Sequence, residues 1–276
     1  MSSSSTPPPN PLPVYGEGGQ EHFVHINGIR IAQKIAGKGL PVLLLHGWGA
    51  NIGLVWPLAE RLVTLGYQLY ALDLPGFGDS DNPPSAWSAH DYVNFTLAYM
   101  DYHRLDKVYL FGHSFGGRLS LVLGAEHPDR IIKMALADSA GIRGKPSVSG
   151  QIRLKTFRFI QNSLRTIGMK NQADKLRDWY TDKYGSADYK AAKGVMRETF
   201  VKVVNEDLLP FAARVKPSTL LFWGSQDQDT PLTQGQLLEK TIPDAGLIVW
   251  EGAGHYSYLE RLADTAHVMD HFFKQK

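Results

Sequence analysis

The sequence predicts an α/β fold built on a mainly parallel sheet, and three observations carry that prediction. Short, wholly apolar runs such as Pro41–Leu45 and Val108–Phe111 have the look of strands buried on both faces. Segments with helical spacing lie between such runs, and the two alternate as far as Asp138, the pattern of βαβ units. The alternation then gives way to helical spacing alone, and strand-like runs return towards the C-terminus. With 276 residues the chain can bury a substantial core, either as one large domain or as a domain with an insertion.

Taken in order, His22–Asn27 and Ile29–Ala36 read as two strands about a turn at Asn27-Gly28. Pro41 to His46 is the first doubly buried strand and ends at Gly47. Trp56–Leu65 is helical in spacing and Tyr67–Leu72 strand-like. Ser88–His103 predicts a helix, with Ser88 and Asp91 placed as a capping box. Lys107–Phe111 predicts a strand, Ser114–His127 a helix and Ile131–Ala137 a further strand. Thr219–Trp223 and Leu247–Trp250 resume the strand pattern, and Thr230-Pro231 stands as the N-cap and first position of a helix. A last helix is expected from about Leu259 to Lys276. The implied organisation is a tail at 1–20, a core formed by 21–140 and 206–276, and a helical insertion at 141–205.

Composition removes several classes of function. The chain has no cysteine, which excludes a disulfide framework, a thiolate metal site and a cysteine nucleophile together. A net charge of +2 without a Lys/Arg-rich run leaves no footprint for nucleic acid. Residues 1–20 form a Ser/Pro/Gly stretch with neither the basic start nor the apolar segment of a secretory signal. Such a stretch buries too little surface to offset its ordering entropy, so it is expected to be disordered. No apolar run approaches the roughly 18 residues that span a bilayer. The expectation is a soluble, cytoplasmic protein that acts on a small molecule, with no membrane partner.

The strongest local signal is Gly112-His113-Ser114-Phe115-Gly116, followed by Gly117. G-x-S-x-G by itself is weak, but here it follows an apolar strand and opens a helix, the setting a strained nucleophile elbow requires. A serine hydroxyl needs a base to take its proton, and that base needs a carboxylate to orient it. His255, in the loop Gly252-Ala253-Gly254-His255 between a strand and the last helix, is placed to be the base. Asp227 and Asp229 both follow the strand Thr219–Trp223; Asp227 lies in the loop proper and is preferred as the acid, while Asp229 adjoins a predicted helix start.

On these residues the sequence resembles the α/β-hydrolase superfamily from about residue 21 onward. His46-Gly47-Trp48-Gly49 is similar to the family's oxyanion loop, and Asp73-Leu74-Pro75-Gly76-Phe77-Gly78-Asp79-Ser80 to its strand-4 loop. Gly112 to Gly117 resembles the elbow, Trp223 to Asp227 with Pro231 the acid loop, and Gly254-His255 with Glu260 the histidine loop. Five motifs in the family's order are far more specific than any one of them. The resemblance implies a mostly parallel eight-stranded sheet flanked by helices, with a helical cap after strand 6. It implies Ser114, Asp227 and His255 as a catalytic triad, and the backbone N–H groups of Trp48 and Phe115 as the oxyanion hole.

Ser114 argues against the dehalogenases and epoxide hydrolases of this superfamily, which carry an aspartate at the elbow. A carboxylesterase acting on small or aryl esters through an acyl-enzyme is the first expectation. Two alternatives stay open. One is a carbon–carbon bond hydrolase of the meta-cleavage-product type, resembled in Ser114-Phe115-Gly116-Gly117, although Tyr256 stands where such enzymes usually carry a tryptophan. The other is a small-molecule receptor that keeps the triad. Neither cofactor nor metal is expected: His267 and His271 lie four apart on the last helix but read as a solvated face. His46 reads as a structural loop residue, and the Trp48 side chain either walls the acyl pocket or packs the loop. Between Arg143 and Lys193 the chain carries 12 Lys/Arg against 4 Asp/Glu. Most of these read as a solvated outer face, with Arg153, Arg158 and Arg197 as candidates to draw an anionic substrate to the entrance.

Overall fold

Strands β1 (Glu21–Ile26) and β2 (Ile29–Gly37) make a hairpin through Asn27 and Gly28, whose φ values of 51° and 80° give the turn that Asn-Gly favours. The structure, a computed structural model, describes residues 21–143, 148–184 and 186–275, so the tail at 1–20 lies outside it. Strands β3 (Leu40–Leu45), β4 (Tyr67–Leu72), β5 (Val108–His113), β6 (Ile131–Ala137), β7 (Thr219–Gly224) and β8 (Ala245–Trp250) complete one eight-stranded sheet. Its order is β1-β2-β4-β3-β5-β6-β7-β8, antiparallel only where β2 meets β1 and β4. Every residue of β5 is buried, as its unbroken apolar run requires of a central strand covered on both faces.

Helix α1 (Ile52–Thr64) follows β3, α2 (Ala89–Tyr102) follows β4, and α3 (Phe115–Glu126) follows β5. Between β6 and β7 run α4 (Val148–Thr166), α5 (Lys170–Tyr184), α6 (Ala187–Ala191), α7 (Gly194–Asn205) and the single turn α8 (Leu209–Ala212). Helix α9 (Leu232–Thr241) joins β7 to β8, and α10 (Ser257–Glu260) and α11 (Leu262–Lys274) end the chain. One face of the sheet is packed by α2, α3, α8 and α9, around Tyr92, Leu119 and Leu238; the other by α1, α10 and α11, around Leu58, Tyr258 and Phe273. Helix α7 turns Met196 and Val203 into the first of these cores, whereas α4 and α5 pack mainly on each other and leave Phe159 and Ile167 exposed. Among the described residues no helix is long and apolar enough to cross a membrane.

Among the boundaries that differ from the sequence expectation, three have a visible cause. Helix α1 begins four residues early because Asn51 caps it and the remote Asp73 accepts from Ile52 N at 2.7 Å. Thr230 is not a helix cap: Pro231 takes that position, and the threonine hydroxyl is spent on Asp227. The expected last helix is two, broken at Arg261, because Ser257 is tied to Asp138 and starts a helix of its own.

From β3 the chain crosses to β4 on one side and then to β5 on the other. The strand order therefore reverses between β3 and β5, and a crevice opens beyond their carboxyl ends, where α/β sheets bind ligands.

Candidate active site

The β5–α3 junction is a forced turn. Ser114 has φ 48° and ψ −104°, a conformation costly for a non-glycine residue, and its N–H is fixed to Ala137 O at 3.0 Å. The turn closes because Gly116 lies against the main chain of Leu45, where a Cβ has no room, and donates from its own N to His46 O at 3.0 Å. The serine is thereby held above the carboxyl edge of the sheet at the start of α3.

Beyond β7, Asp227 folds its loop around one carboxylate. Oδ1 accepts from Asp229 N at 2.8 Å and Thr230 N at 3.0 Å, an Asx-type turn. Oδ2 accepts from Thr230 Oγ1 at 2.7 Å and holds His255 Nδ1 at 2.9 Å. Of the two carboxylates in this loop it is therefore Asp227, with a fully buried side chain, that meets the imidazole; Asp229 is exposed. Burial works to raise the Asp227 carboxyl, but the bonds from His255 and Thr230 outweigh it and hold it below the usual range. Burial likewise works to lower the His255 imidazole, and the hydrogen bond and charge of Asp227 turn the net shift upward.

Ser114, Phe115, Trp48 and His255 line one cavity of about 410 Å³, within the range of small-molecule sites. The first N–H of a helix has no partner within it, and Phe115 is the first residue of α3. The Trp48 ring packs edge-on to Phe77, Phe115 and Phe200 with centroids 4.8, 5.3 and 5.0 Å away. It is both cavity wall and loop packing. His46 Nδ1–H donates to Gly47 O at 2.7 Å and Nε2 accepts from Leu74 N at 3.0 Å, so this ring staples the β3 and β4 loops together. Burial pushes its pKa down to about 4.

Several residues here carried no sequence signal. Asp138, after β6, accepts from Gly224 N, Ser257 N and Ser257 Oγ at 2.9, 3.0 and 2.6 Å. Burial pushes its carboxyl up to about 7. His113 Nε2–H donates to His255 O at 2.8 Å, and burial, aided by the charge of His255, lowers this imidazole to about 3. Arg118, Asp188, Phe200 and Val203 complete much of the cavity wall. By contrast, Arg153, Arg158 and Arg197, the cations expected at the entrance, are not among its lining residues. Arg197 instead donates to Ala192 O and lies over the Tyr189 ring, and Arg153 borders a hollow between α4 and α5.

Ligand atoms of Asp227, Asp229 and His255 lie close enough together to suit a metal, as do those of Glu21, Asp73 and Asp79. In the first group Asp227 already serves Thr230 and His255; in the second Asp73 accepts from Ile52 N and Asp79 N. In each group the buried carboxylate is thus already engaged in hydrogen bonds.

Comparison with known proteins agrees with this architecture. Residues 41–262 match the model of the alpha/beta hydrolase fold family. The chain is 29% identical to Lipase 1 of Psychrobacter immobilis over 251 residues, 83% of this chain and 75% of that protein. It is 27% identical to 2-hydroxymuconate semialdehyde hydrolase of Pseudomonas sp. (strain CF600) over 266 residues, 90% of this chain and 92% of that one. In fold it is similar to an esterase from Exiguobacterium antarcticum, with a TM-score of 0.72 at 21% identity, covering 93% of this chain and all of the other. A sheet of this order with its crevice at β3 and β5, and a family match over most of the length, lead to one conclusion: the chain belongs to the alpha/beta hydrolase fold family and is a hydrolase.

Proposed function

We propose that this hydrolase is a serine carboxylesterase of small or aryl esters, with Ser114 as nucleophile, His255 as general base and Asp227 as the orienting acid. The observation that carries the reading is the strained Ser114 sharing a cavity with His255, whose far ring nitrogen is bonded to a buried carboxylate. The Nδ1–H donated to Asp227 leaves Nε2 as the basic nitrogen. Ser114 Oγ attacks the ester carbonyl carbon as His255 Nε2 takes its proton. The oxyanion lies between the N–H groups of Phe115 and Trp48, each donor contributing on the order of a hundredfold or more in rate. As the intermediate collapses, the imidazolium returns the proton to the departing alkoxide, and an acyl-enzyme remains. Water then attacks the acyl carbon through the same base, releasing the acid and restoring Ser114. Helices α4 to α7 serve as a cap over the cavity, reaching it through Asp188, Phe200, Val203 and Val204.

A carbon–carbon bond hydrolase is the second reading. It is favoured by the likeness to 2-hydroxymuconate semialdehyde hydrolase, which covers nearly the whole length of both chains. Hydrolysis of p-nitrophenyl acetate and butyrate by wild type and Ser114→Ala tests the first reading. Turnover by wild type with a loss of at least about a thousandfold in the variant is expected. Equal activity of the two proteins removes Ser114 as nucleophile. If neither ester is cleaved, while a dienoate ring-cleavage product loses its absorbance, the second reading replaces the first.

A further inference from the structure

Arg118 stands one turn after Ser114 on α3, only 6% exposed, in the wall of the cavity that Ser114 and His255 share. Buried guanidinium groups are as a rule paired with a carboxylate, because an uncompensated charge is costly to desolvate. Among the described residues this one is not so paired. Its Nη1 donates to a main-chain oxygen, Glu206 O, at 3.0 Å. The Glu206 and Asp207 carboxylates act on it only through longer-range charge. Glu206 is engaged elsewhere: both its oxygens accept from Ala89 N, at the start of α2, at 3.2 Å. Burial lowers the Arg118 pKa to about 10, which leaves it charged at neutral pH. A guanidinium carries five N–H donors, and the Glu206 carbonyl accounts for one.

The rest of the cavity is polarised around this cation. Ala140, Phe200, Val203 and Val204 supply apolar wall, while Asp188 and Asp229 are the exposed acids near His255 and Tyr256. Burial and the charge of Asp229 both push the Asp188 carboxyl up, so the acid side resists further negative charge.

We propose that Arg118 is an anion subsite of this cavity, and that the substrate is an ester bearing one free carboxylate, held on Arg118 while its scissile carbonyl meets Ser114. The proposal rests on the serine esterase reading and names its substrate class. A single planar fork suits a single planar monoanion, which it can bind bidentately. A phosphate dianion would meet more repulsion from Asp188 and Asp229. Ser114 is the N-cap of α3 and Arg118 the fourth residue of that helix, so the two side chains leave it about one turn apart on the wall of one cavity. A carboxylate a few carbons from the reacting carbonyl, as in a succinyl or glutaryl half-ester, matches that span.

The test compares p-nitrophenyl hemiglutarate with p-nitrophenyl valerate, of the same chain length but neutral, in wild type, Arg118→Gln and Arg118→Lys. Wild type is expected to favour the half-ester in kcat/KM by tenfold or more, with the preference shrinking as salt rises. Arg118→Gln should lower that ratio at least tenfold and Arg118→Lys should retain part of it. A wild-type ratio of one or less overturns the proposal, as does a glutamine variant that lowers both substrates by the same factor. Inhibition of wild type by free glutarate, set against neutral glutaramide, needs no variant and keeps the test decisive if Arg118→Gln does not fold. Should wild type cleave neither ester, the esterase reading fails separately, and calorimetric titration of wild type with the same two compounds decides the subsite. Glutarate binding tenfold or more tighter than glutaramide supports it; equal or absent binding overturns it.

Discussion

Thr230 Oγ1 donates to Asp227 Oδ2 at 2.7 Å, the same oxygen that holds His255 Nδ1 at 2.9 Å. The threonine also approaches His255 Nδ1 to 3.3 Å and Asp138 O to 3.1 Å, so its hydroxyl fixes the carboxylate rotamer on which the imidazole depends. Thr230→Val keeps the shape and removes the donor. Losing a hydrogen bond to a buried charge costs about 1–3 kcal/mol, which for a chain of this size lowers Tm by several degrees. We expect kcat/KM on p-nitrophenyl butyrate to fall severalfold to tenfold. Wild-type activity and Tm in the valine variant would show that Asp227 needs no such support.

The pH dependence follows from the direction of the His255 shift. Burial lowers this imidazole, yet Asp227 carries it above the ordinary 6.5. In the proposed mechanism the protonated ring cannot accept the Ser114 proton, so the acid limb of kcat/KM should have its midpoint above 6.5. His46 and His113, held near 4 and 3, stay neutral across this range and add no limb. Asp227→Asn removes the largest raising influence and leaves burial opposed only by the charges of Asp138 and Asp229, so the limb should move down, with rate reduced by roughly ten-thousandfold. The same upward shift makes the protonation of His255 a source of stability that is complete below the unfolded imidazole value. That stability is lost as pH rises through the folded one. A wild-type limb at or below 6.5 contradicts this account.

The elbow makes a prediction about stability. A methyl group at Gly116 would enter the main chain of Leu45, which cannot retreat because β3 is paired with both β4 and β5. Gly116→Ala should cost at least about 1–3 kcal/mol in urea unfolding, the scale of an overpacked core. An alanine variant as stable as wild type would mean that the turn has slack it does not show.

What could be read from the sequence was local. The β5–α3 turn announces itself because an apolar strand, a glycine-flanked serine and a helix follow one another without a break from Val108 to Glu126. The capping box at Ser88 and Asp91 was legible for the same reason and is present in full. Residues whose partners arrive from far along the chain were not. Asp138 has no signature of its own, and its partners Gly224 and Ser257 lie 86 and 119 residues away. Arg118 reads as an ordinary helical position, since the carbonyl that holds it is 88 residues on. Thr230 was misplaced because a threonine before a proline suits a helix cap, and only the folded loop brings Asp227 back to claim the hydroxyl. The excess of cations between Arg143 and Lys193 points to Arg153, Arg158 and the nearby Arg197, none of which lines the cavity, because charge counts along a chain do not say which side chains turn inward.

Asp138 ties three segments together. Its own backbone is left-handed, with φ 47°, and its carboxylate fixes Gly224 at the end of β7 and Ser257 just after His255. Asp138→Asn places an amide NH2 where one oxygen now accepts from Ser257 N and Oγ, or turns it onto Gly224 N; either way donor meets donor. The histidine loop should loosen, lowering kcat on p-nitrophenyl butyrate by tenfold or more with a smaller change in KM. Stability gives an independent reading. Burial holds the folded carboxyl at about 7 against an ordinary 3.8, so the folded chain binds this proton more tightly. The associated stability is complete below 3.8 and is lost as pH rises through about 7. The asparagine variant lacks this slope, so the gap in Tm between wild type and Asp138→Asn should narrow from pH 5 to pH 8. A gap that stays constant over that interval means that the hydrogen bonds from Ser257 and Gly224 outweigh burial and keep Asp138 ionised throughout.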